Sequence, residues 1–329
     1  MTNGRFMSAV TALGLISFCL AVDPAQAAPT ASRAWVSGHG VDQAGCGAPT
    51  SPCRTFQYAH DNIVAGGGEI DVLDPAGYGP ITIAKAISIV NDGVGTAGVQ
   101  QGASGQNAIT INAGASDAVT LRGLTIDGLG TGQNGVVSNS GGVLTIVDCV
   151  IRHFSSDGVL IQPTSGSMSF LISSSNVSDN NGGVDFFPTS GAPIAKGVID
   201  HVVVANNARG VQFDVETSGA SLNAAITNSV ASNNLEGVSI TAALGGQVVA
   251  SIDNSSVIGN GGSGNTGAGI LAAGTPTVRL GRSVIASNTS GIYNSTSGNT
   301  VYSYGDNRIN DNNTDIGGTG VLNTTVKPR

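Results

Sequence analysis

Charged side chains are scarce in this chain of 329 residues. Asp, Glu, Lys and Arg together make up 10% of the sequence, with 13 basic residues against 21 acidic ones and a net charge of −8. Affinity for nucleic acid depends on clustered Lys and Arg, and no such cluster occurs, so the composition argues against a nucleic-acid partner. Gly, Ser, Thr and Asn fill much of the remainder. The surface must therefore be mostly neutral and polar, which is not typical of a helix bundle.

Cysteine is also rare, with four residues in the whole chain. The first, Cys19, falls in residues 1–27, which have the pattern of a secretory signal peptide: Arg5 precedes the mainly apolar residues 6–22, and a small-x-small cleavage pattern ends at Ala27. We expect cleavage after this pattern. The mature protein is then secreted or periplasmic and has no membrane span.

Three cysteines remain in the mature chain. Cys46 and Cys53 are seven residues apart in a loop rich in Gly and Pro, and an oxidising compartment favours their closure as a disulfide. Cys149 is left over. No His or basic partner that would lower its pKa is identifiable, so we interpret it as a small buried residue rather than a catalytic thiol.

The sequence repeats every 24 to 28 residues. Each repeat is marked by a polar residue, usually Asn, three positions after an aliphatic or β-branched residue, and most are followed shortly by Gly and then Val or Ile. A fixed period of this kind indicates one structural unit stacked many times. The marked positions are His153, Asn180, Asn206, Asn233, Asn260, Asn288 and Asn312.

Each later repeat divides into three short strand-like runs separated by turn residues, which is the pattern of a parallel β-helix. Equivalent side chains of successive coils then lie about 4.8 Å apart, the ordinary spacing of paired strands. A buried Asn at a turn can bond the backbone and the next Asn, and so form a ladder. We therefore predict a structural role for the marked asparagines, with His153 as the capping rung.

The start of the chain differs from the repeats. Residues 55–64 have helical character, and the glycines at 66–68 are expected to end that helix. A short helix at this point would cover the open end of the stacked strands. We predict three segments: a signal peptide at 1–27, an N-terminal strand, disulfide loop and capping helix at 28–68, and the parallel β-helix at 69–329.

Two segments resemble the right-handed parallel β-helix superfamily, which includes pectate lyases and polygalacturonases. They are the repeat unit at residues 230–238 (VASNNLEGV) and the entry segment at residues 52–56 (PCRTF). The resemblance implies an all-β, right-handed parallel β-helix over about residues 34–325. It implies no single activity, because lyases, hydrolases, epimerases and proteins without known chemistry share this fold.

One short motif of that superfamily is imitated. The run Ile199-Asp200-His201 resembles the Ile-Asp-His sequence of pectate lyases, but Val198 stands where those enzymes have Trp. The same positions in the next coil are filled by residues 226–228 (ITN). The repeat therefore accounts for the run without catalysis.

The strand after each repeated Gly offers a better candidate site. If Val184, Val211 and Val238 point inward, alternation places the following residues outward. Two of these, Asp185 and Asp214, would have Cβ atoms on the order of 8 Å apart. That spacing suits an acid and a base flanking a water, or two ligands of a Ca²⁺ site. The outward set comprises Asp185, Gln212, Ser239, Phe187, Asp214 and Thr241.

A lyase would also need a base, for which Arg209 and Lys196 are nearby in sequence. Arg209 precedes its Gly as Glu236 does one coil later, so a stacked surface ion pair between them is the simpler expectation. Aromatic residues make up 4% of the chain, and flat rings commonly line carbohydrate sites. This scarcity favours weak, extended binding over a deep cleft.

Three functions follow from the sequence, in order of preference. The first is contact with a polysaccharide through one face of the β-helix, with Phe187, Gln212, Ser239 and Lys196 as binding residues and no cleavage. The second is a polysaccharide lyase or glycoside hydrolase that uses Asp185 and Asp214 with Arg209 or Lys196. The third is a structural or adhesive envelope protein. No resident cofactor is indicated, and the sequence leaves the oligomeric state open.

Overall fold

The computed structural model describes residues 1–2, 28–262, 267–297 and 301–324. The predicted signal peptide therefore lies outside the described residues, apart from its first two. No helix in the described ranges has the length and apolar character needed to cross a membrane.

Short strands make up almost all of the regular structure. In chain order the elements are β1 (Ala31–Val36), α1 (Phe56–Asn62), β2 (Val64–Val72), β3 (Ala76–Gly77), β4 (Ile81–Ile83), β5 (Ile87–Val90), β6 (Ala97–Gln100), β7 (Ile109–Asn112), β8 (Ala118–Arg122), β9 (Leu124–Asp127), β10 (Val136–Ser140), β11 (Val143–Val147), β12 (Val150–Arg152), β13 (Asp157–Ile161), β14 (Ser167–Ser173), β15 (Asn176–Ser178), β16 (Gly182–Phe186), β17 (Ile194–Asp200), β18 (Val203–Ala205), β19 (Arg209–Val215), β20 (Ser221–Thr227), β21 (Val230–Ser232), β22 (Glu236–Ala242), β23 (Gln247–Asp253), β24 (Ser256–Ile258), β25 (Ile270–Gly274), β26 (Thr277–Gly281), β27 (Val284–Ala286), β28 (Ser290–Asn294), β29 (Val301–Ser303), β30 (Arg308–Asn310), β31 (Thr314–Gly318) and β32 (Leu322–Asn323).

The strands form three long parallel sheets, and the predicted parallel β-helix is confirmed. Sheet A contains twelve strands in the order β1-β2-β5-β8-β11-β14-β17-β20-β23-β26-β29-β32. Sheet B runs β4-β7-β10-β13-β16-β19-β22-β25-β28-β31, and sheet C runs β3-β6-β9-β12-β15-β18-β21-β24-β27-β30. From β5 onward each strand pairs with the strand three places further along the chain, so three strands make one coil.

Side chains alternate between the inside and the outside of the coil. Along sheet A, Ile172, Ile199, Ile226 and Ile252 are successive Cα partners and are all buried. Such rows bring apolar side chains of neighbouring coils together and remove them from water, which is the main favourable term in folding. The register of the coils therefore determines which residues remain for the surface.

A ladder of buried asparagines runs along the turn between sheets C and B. The Oδ1 of Asn234 accepts from the backbone N–H of Asn207 at 2.9 Å, and its Nδ2 donates to the carbonyl of Val204 at 3.0 Å. The same pair of bonds recurs on each rung, so every Asn satisfies backbone groups of the preceding coil. The rungs are Asn180, Asn207, Asn234, Asn260, Asn288 and Asn312.

Three positions of the predicted ladder were wrong. Asn206 and Asn233 are exposed and have φ of 58° and 55°, and the residue after each of them is the buried rung. His153 shares this outward, left-handed position with φ of 60°. The end of the ladder is therefore Phe154, whose N–H donates to Asn180 Oδ1 at 3.0 Å, and not His153.

The glycine that follows each rung is required by close packing. A Cβ built on Gly210 would lie 2.3 Å from the carbonyl oxygen of Gly237 and 2.9 Å from Nδ2 of Asn234. Gly183 and Gly237 approach the ladder in the same way. The contact between the Asn carboxamides and the next strand thus explains the repeated spacing from Asn to Gly in the sequence.

A second polar ladder, made of serines, lies at the turn between sheets A and C. The N–H of Ser229 donates to Ser255 Oγ at 3.2 Å, and the N–H of Ser255 donates to Ser283 Oγ at 3.2 Å. Cys149 lies in the same turn, where its N–H donates to Ser175 Oγ at 3.1 Å. Burial raises the pKa of its thiol to about 11, which agrees with a packing role.

The N-terminal end is covered by α1, which packs against β1, β2 and β4. The helix begins after Thr55, whose side chain accepts from the N–H of Tyr58, and it ends at Asn62. The glycines at 66–68 do not end the helix as predicted, because they lie inside β2. A disulfide joins Cys46 to Cys53 in the loop before the helix.

We expect Asn234→Ala to lower the free energy of unfolding by about 2–4 kcal/mol, because it leaves buried backbone groups of the preceding coil without partners. Asn233→Gly is the matched control. Its left-handed position is filled by Gly259 one coil later, so a change within about 0.5 kcal/mol is expected. Urea unfolding followed by circular dichroism measures both, and equal losses in the two variants would contradict the assignment of the ladder.

Candidate functional site

An open pocket with a volume of about 390 Å³ lies on the outer face of sheet B, where β13, β16 and β19 are neighbours. Loop residues beyond these strands complete its wall. The lining residues are Asp157, Leu160, Gln162, Asp185, Phe187, Thr189, Arg209, Gln212 and Asp214.

Asp185 lies at the centre of the pocket lining. Its Cα partners on the neighbouring strands are Leu160 and Gln212, so it points outward as predicted. It is nevertheless only 6% exposed, and its Oδ1 has no hydrogen-bond partner. Sequence alternation gave the direction of this side chain but not its burial.

The pKa of Asp185 is raised from 3.8 to about 8. Burial is the largest cause, because it disfavours the charged form, and the neighbouring carboxylates of Asp157 and Asp214 act in the same direction. The guanidinium of Arg209 opposes the shift. At neutral pH this carboxyl is therefore mainly protonated.

Asp157 is the residue that sequence reasoning missed. It is 5% exposed and lies 3.6 Å (Oδ1 to Nη2) from Arg209, two coils away. The strand between them has Gly182 at the same position, and a Cβ built there would lie 1.9 Å from Asp157 Oδ1. The absent side chain thus makes room for an ion pair that spans three coils.

The predicted ion pair between Arg209 and Glu236 is not formed. The two residues are Cα partners, as their positions before the repeated Gly implied. The guanidinium instead extends toward Asp157. Burial raises the pKa of Asp157, while Ser156 and Arg209 lower it. Arg209 and Glu236 each stand directly before a repeated Gly, and Asp157 stands in the same way before Gly158. This shared position was the signal in the sequence that could have identified Asp157.

Asp214 and Gln212 form the far side of the pocket. Gln212 Nε2 donates to Asp214 Oδ2 at 3.2 Å, while Gln212 Oε1 and Asp214 Oδ1 have no hydrogen-bond partner. Burial and then the charge of Glu216 raise the pKa of Asp214. When neighbouring carboxyls have different surroundings, one can be protonated and act as a general acid while another is ionised and acts as a general base.

Two of the predicted binding residues lie outside the pocket. Lys196 is exposed on sheet A, where its Cα partners are Ser169 and Asn223, so it cannot join a site on sheet B. Ser239 on β22 is the Cα partner of Gln212 on β19. It is buried and does not line the pocket. Phe187 does line the pocket and is 37% exposed.

The carboxyls of the pocket do not form a compact metal cage. Among the described residues, the group of three potential ligands whose atoms lie within 4.8 Å of one another is Asp42 with Cys46 and Cys53. Both sulfurs of that group are in the disulfide. Asp42 also accepts hydrogen bonds from the backbone N–H groups of Arg54 and Thr55.

The run at Asp200 and His201 belongs to a surface network between coils. Asp200 Oδ1 accepts from Asn228 Nδ2 and from Thr227 Oγ1, each at 2.7 Å. These bonds, together with that from His201, hold its pKa at about 2. Such a carboxylate is fully engaged in linking neighbouring coils.

We expect Asp185→Leu to raise the free energy of unfolding by about 1–3 kcal/mol at pH 7, because it removes a buried carboxyl that lacks a partner. Leu160 fills the same position one coil earlier, so the strand accommodates the side chain. Asp92→Asn, at an exposed residue outside the pocket, is the control and should change stability by less than about 0.5 kcal/mol.

The gain should also depend on pH. The pKa of Asp185 is about 8 in the folded protein against an ordinary 3.8, so between these values the folded state holds a proton that the unfolded state has lost. The contribution of this group to stability is complete below about pH 4 and falls as the pH rises toward 8. Asp185→Leu should therefore gain more at pH 7 than at pH 4 in urea unfolding, and the reverse order would contradict the assigned protonation.

No family model matches the sequence, and no curated protein matches it. Among solved structures, the crystal structure of pectate lyase Pel9A matches with a TM-score of 0.54 over 88% of this chain and 78% of that chain. The two sequences are 14% identical, so the similarity concerns the fold alone. The chain thus shares the right-handed parallel β-helix fold of that protein.

Proposed function

We propose that this protein is exported and contacts a polysaccharide through sheet B, with the Asp185 pocket holding one or two sugar units. The observation that carries the proposal is the set of buried polar atoms in that pocket that lack a hydrogen-bond partner, although Asp157 Oδ1 has the ion contact with Arg209 at 3.6 Å. They are Asp157 Oδ1, Asp185 Oδ1, Arg209 Nε, Gln212 Oε1 and Asp214 Oδ1.

Burying polar atoms without partners is unfavourable, and native proteins retain few of them. Five of the eight such side-chain atoms in the described residues belong to this one pocket. A ligand that supplies hydrogen bonds at several points would satisfy them together. The hydroxyl groups of a sugar are donors and acceptors distributed around a ring, which suits this arrangement.

The surroundings of the pocket also suit a polymer. The exposed ring of Phe187 offers an apolar surface at its edge, where a sugar ring could pack. Sheet B continues on both sides of the pocket, so neighbouring units of a chain would lie along the β-helix. The structurally similar Pel9A is a pectate lyase, which is consistent with a polysaccharide partner at the level of the fold. The signal peptide expected at residues 1–27 would deliver the protein to such a partner.

Hydrolysis of the bound polysaccharide is the second candidate, favoured by the raised pKa of Asp185. A carboxyl that is protonated at neutral pH can act as a general acid, and ideal strand spacing would put the Cβ atoms of Asp185 and Asp214 on the order of 8 Å apart, which leaves room for a water. A lyase is less well supported. The guanidinium that would be its base, that of Arg209, is engaged with Asp157.

The test is native gel electrophoresis of the mature protein in gels that contain neutral, acidic or amine-bearing polysaccharides, with and without Ca²⁺. We expect retardation by at least one polymer. Asp185→Leu, which fills the pocket, should abolish it, and Asp92→Asn should retain it. Retardation that survives Asp185→Leu would place binding elsewhere, and no retardation by any polymer would favour a structural or adhesive role.

Reaction products distinguish binding from cleavage in the same panel. New reducing ends that disappear in Asp185→Asn would make the protein a glycoside hydrolase that uses this carboxyl. Ultraviolet absorbance from unsaturated ends would indicate a lyase instead. Retardation without either product would support binding alone.

A further inference from the structure

Oxygens predominate among the buried polar atoms of the pocket that lack a hydrogen-bond partner. Four of its five buried atoms without a hydrogen-bond partner are oxygens, namely those of Asp157, Asp185, Gln212 and Asp214. The donors among the five groups are Nε of Arg209 and, while it is protonated, the carboxyl of Asp185. A ligand that fits this lining must therefore bring more donors than acceptors.

The charges of the pocket point the same way. Asp157 and Asp214 face one basic residue, Arg209, and Glu216 adds its charge next to Asp214, while the carboxyl of Asp185 is mainly protonated before a ligand binds. The guanidinium is already directed at Asp157. A positive charge that entered the pocket would be attracted by the remaining carboxyls, and a negative charge would meet like charges.

We propose that the Asp185 pocket selects a sugar unit that carries a free, protonated amine, that is, a hexosamine without an N-acetyl group within a polysaccharide. The proposal rests on the saccharide-binding function argued above. An ammonium group has three donors and no acceptor, which matches the lining better than any other common sugar substituent. An N-acetyl group removes the charge and leaves one donor. The carboxylate of a uronic acid has only acceptors at neutral pH, so it could accept a hydrogen bond from the protonated carboxyl of Asp185 but would leave the oxygens of Asp157, Gln212 and Asp214 without a donor.

The pKa of Asp185 supports this preference. Its carboxyl is kept protonated by burial and by its acidic neighbours. A bound ammonium would favour the ionised form of the same carboxyl. Amine binding near pH 7 should therefore release a proton from the pocket, whereas binding of a neutral sugar should not.

The test is titration calorimetry of the mature protein at pH 6 and about 0.15 M salt, which weakens nonspecific attraction between a polycation and an acidic protein. Short ligands keep that attraction small. The probes are the 1,4-linked trimers of glucosamine, N-acetylglucosamine and galacturonic acid. We expect the glucosamine trimer to bind about tenfold more tightly than its acetylated counterpart, and the galacturonic acid trimer to bind most weakly.

Three Asp→Asn variants assign the preference to the pocket. Asp185→Asn and Asp214→Asn should each reduce the advantage of the amine by about tenfold. Asp92→Asn, at a residue that is 68% exposed and does not line the pocket, should leave it unchanged. Thermal unfolding of each variant verifies that it is folded.

The other outcomes overturn the inference in distinguishable ways. Equal or tighter binding of the acetylated trimer, or of the uronic acid trimer, would reject the amine preference and leave saccharide binding in place. An amine preference that survives in both pocket variants, or that falls equally in Asp92→Asn, would show general charge attraction. Failure of every trimer to bind would reject the inference, and retardation in polysaccharide gels would then decide the broader proposal separately.

Discussion

The whole β-helix depends on how its turns satisfy buried backbone groups. A coil that closes on itself every 24 to 28 residues must bend its backbone between sheets, where ladder hydrogen bonds between strands are interrupted. The Asn ladder supplies the missing partners at one bend, and the serines supply them at another. Because each rung bonds the preceding coil, the register is fixed from one coil to the next.

Fixed register also positions the pocket. Asp157, Gly182 and Arg209 are successive Cα partners, so the ion pair across the glycine follows directly from the alignment of three coils. The same alignment holds Asp185 between Leu160 and Gln212. A rigid stack can keep a buried carboxyl without a partner, since stability supplied elsewhere in the stack offsets its unfavourable burial.

The sequence predicted the fold because its signal is repeated in each of the later coils. It predicted the wrong rung at Asn206 and Asn233 because two adjacent asparagines are chemically alike, and only backbone conformation separates the buried one from the left-handed one. In the coils with Gly259-Asn260 and Ser287-Asn288, only the second residue of the pair is Asn, so these coils identify the second position as the rung. Applying their alignment to the doublets would have given the observed ladder.

The site was less predictable than the fold, since it depends on what the repeat omits. Alternation placed Asp185, Gln212 and Asp214 on one face, but their burial depends on loops that do not repeat. The ion pair between Asp157 and Arg209 depends on Gly182, which has no side chain and therefore gives no sequence signal of a polar site. The pocket occupies three particular coils of the β-helix. Whole coils could therefore be gained or lost beyond β25 while the residues of the pocket kept their spacing. The size of the molecule and the selectivity of its pocket can therefore evolve independently.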